Sequence, residues 1–253
     1  MYSTNLTDSQ WQVIQSLLAD QRKRKHDLRQ VFNAIFYVVK GGIPWRLIPN
    51  DLPPWKSVYY YYAKFRKLGI WQELNDALRE KVRLKAKRAI SPSAAILDSQ
   101  SVKTTSVGGQ RGYDAAKSVK GRKRHIVVDT LGLLLAVVVH RADIDERRGA
   151  GFLLARLFHQ KVMFPRLRVI FADGGYQGEF EAVVKKAYRW LLQIVRKPLG
   201  IKTFILLPKR WIVERTFAWL TQHRRLSVDY ERSVKSSEAM IQIAMIRIML
   251  KRL

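Results

Sequence analysis

The chain has 253 residues, enough to bury a full core as one large domain or two. A hydrophobic fraction of 47% excludes wholesale disorder, and the lack of cysteine excludes a disulfide framework or a cysteine-based zinc site. Lys plus Arg number 47 against 20 Asp plus Glu, and a net charge of +27 spread through folded-looking sequence points to a polyanion, most often nucleic acid.

The first third reads as helices. Thr7 and Gln10 fit a capping box ahead of Trp11, Ile14, Leu17 and Leu18, which recur at helical spacing. A basic run, Arg22 to Lys25, precedes Asp27, which can cap a second helix with Val31, Ile35 and Val38 on one face. Gly41 and Gly42 stop that helix, and a proline-rich connector follows. Ser57 opens a third helix carrying Tyr59 to Tyr62 and then Lys64, Arg66 and Lys67. Gly69 breaks it, and a fourth helix runs from Trp71 to about Arg88. Helix, glycine turn and helix with interleaved aromatic and basic residues suit a helix-turn-helix-like DNA reader.

Ser91-Pro92-Ser93 reads as a hinge, after which the pattern turns to strands. The first strand ends at Asp98. A Gly-rich loop over 103–124 follows, with the cations Lys103, Arg111, Lys117, Lys120, Arg122, Lys123 and Arg124 against one acid, Asp114. His125–Val128 and Leu133–Val139 are apolar strands joined by a D-T-L-G hairpin turn. Asp143 or Asp145 caps a helix to about His159, and Arg168–Ala172 is the strand before Asp173. Glu179–Tyr188 is a helix, Trp190–Val195 a strand, and Thr203–Leu207 a short extended piece. Pro208 suits the first turn of a helix that carries Glu214, and Ser236–Leu253 forms a last basic, Met- and Ile-rich helix. The longest uncharged apolar run, Leu131–Val139, suits a buried strand and falls short of a membrane span. The opening residues lack the shape of a signal peptide, and an intracellular protein is the simplest expectation.

Three strands, then helix, strand, helix, strand and helix make the ribonuclease-H-like order, which sets the first and fourth strands side by side. The predicted fold is therefore α/β. A ribonuclease-H-like catalytic domain with a mixed sheet occupies 91–253, behind an all-helical DNA-binding region over 1–90. That order brings Asp98 and Asp173 to one edge, with Glu214 on the final crossing helix. Breaking a phosphodiester needs an activated oxygen nucleophile and a stabilised leaving oxygen. Two Mg²⁺ about 3.5–4 Å apart do both in many nucleases. Three carboxylates can hold such a pair, Asp98 bridging both ions, with Asp173 on one and Glu214 on the other. Mn²⁺ is the expected substitute. Arg210 lies one turn before Glu214, placed to pair with it or to clamp a phosphate, while Arg215, Arg224 and Arg225 extend the basic surface. Hairpin and capping roles account for Asp129, Asp143 and Asp145, and the five histidines read as packing or phosphate contacts.

The segments L-D-S-Q-S-V-K-T (97–104), G-Y-D-A-A-K-S-V-K-G-R-K-R-H-I-V-V-D-T-L-G (112–132), F-A-D-G-G-Y (171–176) and R-W-I-V-E-R-T-F-A-W-L (210–220) resemble those of insertion-sequence DDE transposases of the IS-five and IS-four types. W-R-L-I-P near the start, R-R-L-S-V-D-Y-E (224–231) and S-E-A-M-I (237–241) carry the resemblance along nearly the whole chain. By position it implies that Asp98, Asp173 and Glu214 are the catalytic and metal-binding acids. A related signature, Tyr-x2-Arg-x3-Glu-x6-Lys, is half kept: Arg210 and Glu214 match, but Leu207 and Thr221 stand at the other two positions. The resemblance implies a transposase that binds terminal inverted repeats, cleaves there and joins the ends to target DNA. It implies double-stranded DNA as partner, a homo-oligomer on that DNA, and a prokaryotic, nucleoid-associated protein. The rival expectations are an inactive DNA-binding descendant and a hydrolysis-only nuclease.

Overall fold

The computed structural model describes residues 2–18, 25–196 and 207–253. The basic run Arg22–Lys25 and the extended piece Thr203–Leu207 fall, but for Lys25 and Leu207, outside the described residues. Four helices lead: α1 (Asp8–Leu17), α2 (Leu28–Gly41), α3 (Trp55–Lys67) and α4 (Ile70–Lys85). Their ends follow local chemistry. Thr7 and Gln10 cap α1 reciprocally, and Asp27 accepts from Arg29 N–H at the start of α2. Gly42 ends α2 in left-handed backbone, φ 73°, where a β-carbon would also press on Arg224 at 2.8 Å.

The sheet then forms from β1 (Ala94–Lys103), β2 (Gly112–Asp114), β3 (Val119–Asp129) and β4 (Leu134–Arg141). Helix α5 (Glu146–His159), β5 (Val169–Ala172), α6 (Glu179–Tyr188), β6 (Leu191–Ile194), α7 (Arg210–Thr221) and α8 (Val234–Leu250) follow. Strand β1 is antiparallel to β3 and β3 to β4, whereas β1, β5 and β6 run parallel. The order β4-β3-β1-β5-β6 is ribonuclease-H-like, and β2 extends the β4 edge of β3. One expectation is corrected: β1 does not stop at Asp98, and the loop expected at 103–124 contains the end of β1, all of β2 and the first half of β3. Strand β3 offers a ladder partner to every residue from Ala95 to Lys103, so the backbone stays paired although the side chains turn polar.

Alternation along the strands sorts the core into two layers. Ile96, Ile126 and Val128 pack in one cluster with α1 to α4, α7 and α8. Ala95, Leu97 and Val127 pack in the other with α5 and α6. The leading helices therefore share a core with α8 and one sheet face. Helix α8 is apolar nearly all round because it lies between α4 and β4.

Under α5 the stacked rings of His125 and His140 meet, Nδ1 to Nε2 at 2.9 Å, against Gly149. Alanine normally stabilises a helix interior by about 1 kcal/mol over glycine. At Gly149 the added methyl would overlap both imidazoles, so overpacking dominates. Gly149→Ala should lower stability by about 1–3 kcal/mol in urea unfolding. Gly151→Ala in the same helix, where a β-carbon meets nothing, should raise it. Equal gains at both positions would contradict this packing.

Candidate active site

Strand β5 pairs with β1 only at Ala94, Ala95 and Ile96. Beyond Ile96 the β5 side of β1 has no strand partner until Asp229 bridges to Thr104, because β5 ends at Ala172. Asp98 lies in that notch, on the Ile96 face, which α7 covers. Its Oδ1 accepts from the Ser99 N–H at 2.7 Å. Asp173 follows β5 directly, and its Oδ1 accepts from the Gly175 N–H at 2.9 Å. Its Oδ2 is 3.6 Å from Arg210 Nη2, and Arg210 Nε is 3.4 Å from Glu214 Oε1, one turn along α7. Arg210 thus stands between Asp173 and Glu214, and the charges of Asp173 and Arg210 both reach Asp98.

Burial pushes the Asp98 carboxyl up to about 7, and the Asp173 charge adds to the rise. The Ser99 N–H, Arg210 and Lys117 pull the other way without cancelling it. Asp98 is therefore an anion short of positive charge. Among the described residues no three acids or histidines stand close enough to hold a metal ion as they are. Arg210 occupies the middle, a cation already lodged between two carboxylates. The oxygen-only donor set suits a hard divalent cation.

Three neighbours carry further chemistry. Asp145 caps α5, accepting from the Arg147 and Arg148 N–H groups, so its role is the expected one. The next residue, Glu146, accepts from Ser99 Oγ at 3.1 Å and from Lys117 Nζ at 2.9 Å. Its Oε2 and Asp173 Oδ1 lie 3.0 and 3.1 Å from where a Gly175 β-carbon would stand. Tyr176 is wholly buried behind the same turn, and burial, then Asp98 and Glu146, raise its phenol well above the ordinary tyrosine range. Sequence reasoning missed Glu146: an acid after an N-cap is ordinary first-turn chemistry, and no spacing marks it. Tyr176 stood inside a motif without an assigned role.

The predicted DNA-binding cations divide. Lys103, Arg111, Lys117, Lys120 and Arg224 are exposed, and Lys117 is the one held by Glu146. Arg122, Lys123, Arg124 and Arg225 are buried, which removes them from a DNA-facing surface. Arg122 pairs with Asp229 at 3.2 Å and donates to the carbonyls of Gln110, Glu231 and Arg232. Lys123 pairs with Asp114, Arg124 donates to Leu226 O, and Arg225 pairs with Glu231. The first three lie on β3, which has partner strands on both edges; inside, Arg122 and Lys123 meet acids, whereas Arg124 meets a carbonyl. Arg215 is clasped between Trp211 and Trp219, 4.5 Å from each ring centroid.

The state of Asp98 has a thermodynamic consequence. Its carboxyl titrates near 7 in the fold and near 3.9 when unfolded, so the native state binds that proton more tightly. Below both values the difference vanishes. As pH rises from about 4 past 7, the metal-free fold loses stability relative to an asparagine variant. Asp98→Asn should be the more stable protein at pH 8 in chelator, by on the order of 1–4 kcal/mol. At pH 4 the two should match in urea unfolding. A gain that does not change with pH would contradict a desolvated Asp98.

Comparison with known proteins places the chain in a family. Residues 90–249 match the family model described as "Transposase DDE domain". Residues 6–75 match the one described as "Putative transposase of IS4/5 family". A curated relative from Burkholderia cepacia, "Putative transposase for insertion sequence element IS402", is 29% identical over 127 residues. Those residues are 49% of this chain and 60% of the relative's length. With one family model spanning more than half of its residues, the chain belongs to the DDE transposase domain family.

Proposed function

We propose that the chain is an active transposase that binds the ends of its own insertion sequence, cuts there and joins the freed 3′-hydroxyl to target DNA. The observation that carries this reading is the convergence of Asp98, Asp173 and Glu214 around Arg210 in the notch beside β5. Two Mg²⁺, or Mn²⁺ in their place, would be held by Asp98, Asp173 and Glu214 and would supply Lewis-acid activation of the attacking and leaving oxygens. The chain's own residues do the rest. The Ser99 N–H orients the Asp98 carboxylate, and the Asp173 side chain is fixed by the Gly175 N–H. Arg210, released from the acids, is placed to hold a phosphate oxygen. Gly175 keeps space between Asp173 and Glu146 that a side chain would close.

In this reading residues 1–90 supply end recognition and 91–253 the chemistry. The exposed Lys103, Arg111 and Lys120 border β1 and β2 and hold DNA backbone beside the site. Two DNA ends must be handled together, so the working form is a homo-oligomer on DNA. The described residues contain no helix long and apolar enough to cross a membrane. The reading itself, DNA as substrate, puts the protein at the prokaryotic nucleoid.

The test is a labelled element end incubated with Mg²⁺, with and without target duplex. Asp98→Asn, Asp173→Asn and Glu214→Gln should each abolish cleavage and joining while end binding persists. Double variants should be little worse than singles, because the acids act as one unit. Cleavage without joining would favour the nuclease reading, and wild-type cutting by Asp98→Asn would defeat the site. Separately, Lys103→Ala, Arg111→Ala and Lys120→Ala should each lower the salt-dependence slope of DNA binding by about 0.9. Unchanged slopes would make these residues solvated bystanders.

A further inference from the structure

On the sheet face away from α5 and α6, the helices α3, α4 and α8 border a groove of about 660 Å³. Tyr60, Lys64 and Lys67 follow one another at helical spacing along the α3 wall, and Lys235 joins them from the first turn of α8. Among the described residues, none pairs with the ammonium group of Lys64, Lys67 or Lys235. Arg66, by contrast, is tied down: it donates to Ser236 Oγ and lies over the Tyr62 ring, 5.8 Å from its centroid. Glu238 is the one acid among the described lining residues. It is buried, pairs with Arg156 at 2.8 Å and accepts from the Val139 N–H. The lysine charges therefore have no counter-charge in the groove. Its walls are fixed, because Tyr62 donates to the Ser236 carbonyl at 3.2 Å and Gln242 on α8 donates to Gln72 on α4 at 2.7 Å.

We propose that this groove grips the phosphodiester backbone of duplex DNA without reading its sequence. The inference rests on the reading of DNA as the substrate and adds where on the fold a duplex is held. A concave surface of one charge sign focuses its potential outward and raises the local concentration of an opposite polyion. Lysine suits that task, since an ammonium on a flexible stem follows a row of phosphates without demanding one geometry. Tyr60, 58% exposed, adds a hydroxyl that can donate to a phosphate or sugar oxygen. Arg66 is the one guanidinium among the described lining residues, and its tie to α8 leaves no free fork for a base edge. The contact therefore positions a duplex rather than specifying one. A second copy of the chain is the wrong occupant, because 47 Lys and Arg against 20 acids would set like charges together. Lys235 belongs to α8, so residues 1–90 alone lack part of this surface.

The test uses the full-length protein in chelator, so that nothing is cut, with fluorescent duplexes of element-end and of random sequence. Binding is followed by anisotropy across a salt series. Replacing Lys64, Lys67 and Lys235 together by Ala should lower the slope of log K against log salt by about 0.9 per lysine, equally on both duplexes. Arginine at the same three positions should restore the slope, and the unfolding temperature should not move in either variant. Lys185→Ala with Lys186→Ala, exposed on α6 across the sheet, is the control and should leave the slope as it was. An unchanged slope in the triple variant, with wild type binding both duplexes, overturns the groove and leaves DNA as the substrate. An equal loss per residue in the α6 control also overturns it, since any surface lysine would then serve. A loss confined to the element end would mean that the groove reads sequence. Weaker binding to polyglutamate with the DNA slope intact would assign it to an acidic protein. Wild type that binds neither duplex would remove the DNA reading and this proposal with it.

Discussion

The site depends on a mismatch in strand length. Strand β1 is paired with β3 as far as Lys103 but with β5 only as far as Ile96. The rigid ladder on one side carries Asp98 past the end of the ladder on the other. An acid in mid-strand is thereby held as firmly as a core residue while its side chain opens onto a gap. The gap is then bordered by what lies at its rim: the turn that begins at Asp173, the start of α5 at Glu146, and the first two turns of α7. Without the early end of β5, Asp98 would face a neighbouring strand and its desolvation would have no use.

The second constraint is charge. A chain with a net charge of +27 must still bury a core, and it does so by placing several cations inside on fixed partners. Arg83 pairs with Asp129 at the β3–β4 hairpin and donates to the Ala89 carbonyl, which ties α4 to the sheet. Arg122 gathers three carbonyls and Asp229 where β3 meets the segment before α8. These pairs are costly to desolvate, and removing one partner would leave a buried charge alone. They join segments far apart in the chain and so hold the helices and the sheet as one packed body. The outward basic surface is correspondingly smaller than the count of Lys and Arg implies.

Much of the fold was legible because its signals are local. The Thr7–Gln10 box, the Asp27 and Asp145 caps, the glycine at the end of α2 and the Asp129–Gly132 turn each follow from residues within a few positions. The candidate acids stand out because two apolar runs end near aspartates and an apolar helix carries Glu214. What sequence could not reveal depends on distant partners. The polar half of β1 looks like loop, since only the β3 ladder makes it strand. Arg122, Lys123 and Arg124 read as a basic surface, since burial of β3 is decided by the strands and helices around it. Glu146 and Tyr176 reach the site through the approach of α5 to the Asp173 turn, which no periodicity encodes.

The central claim is that Asp98, Asp173 and Glu214 bound one divalent-cation site although Arg210 now separates two of them. Fe²⁺-directed hydroxyl-radical cleavage of the protein backbone tests it most directly, because a bound Fe²⁺ cuts only the chain within a few ångströms. With ascorbate and peroxide, the fragments identified by mass spectrometry should end near residues 98, 173 and 214, and excess Mg²⁺ should suppress all three cuts together. Cuts at only one of these segments, cuts at other acids such as Asp143, or cuts that Mg²⁺ leaves unchanged would contradict the account.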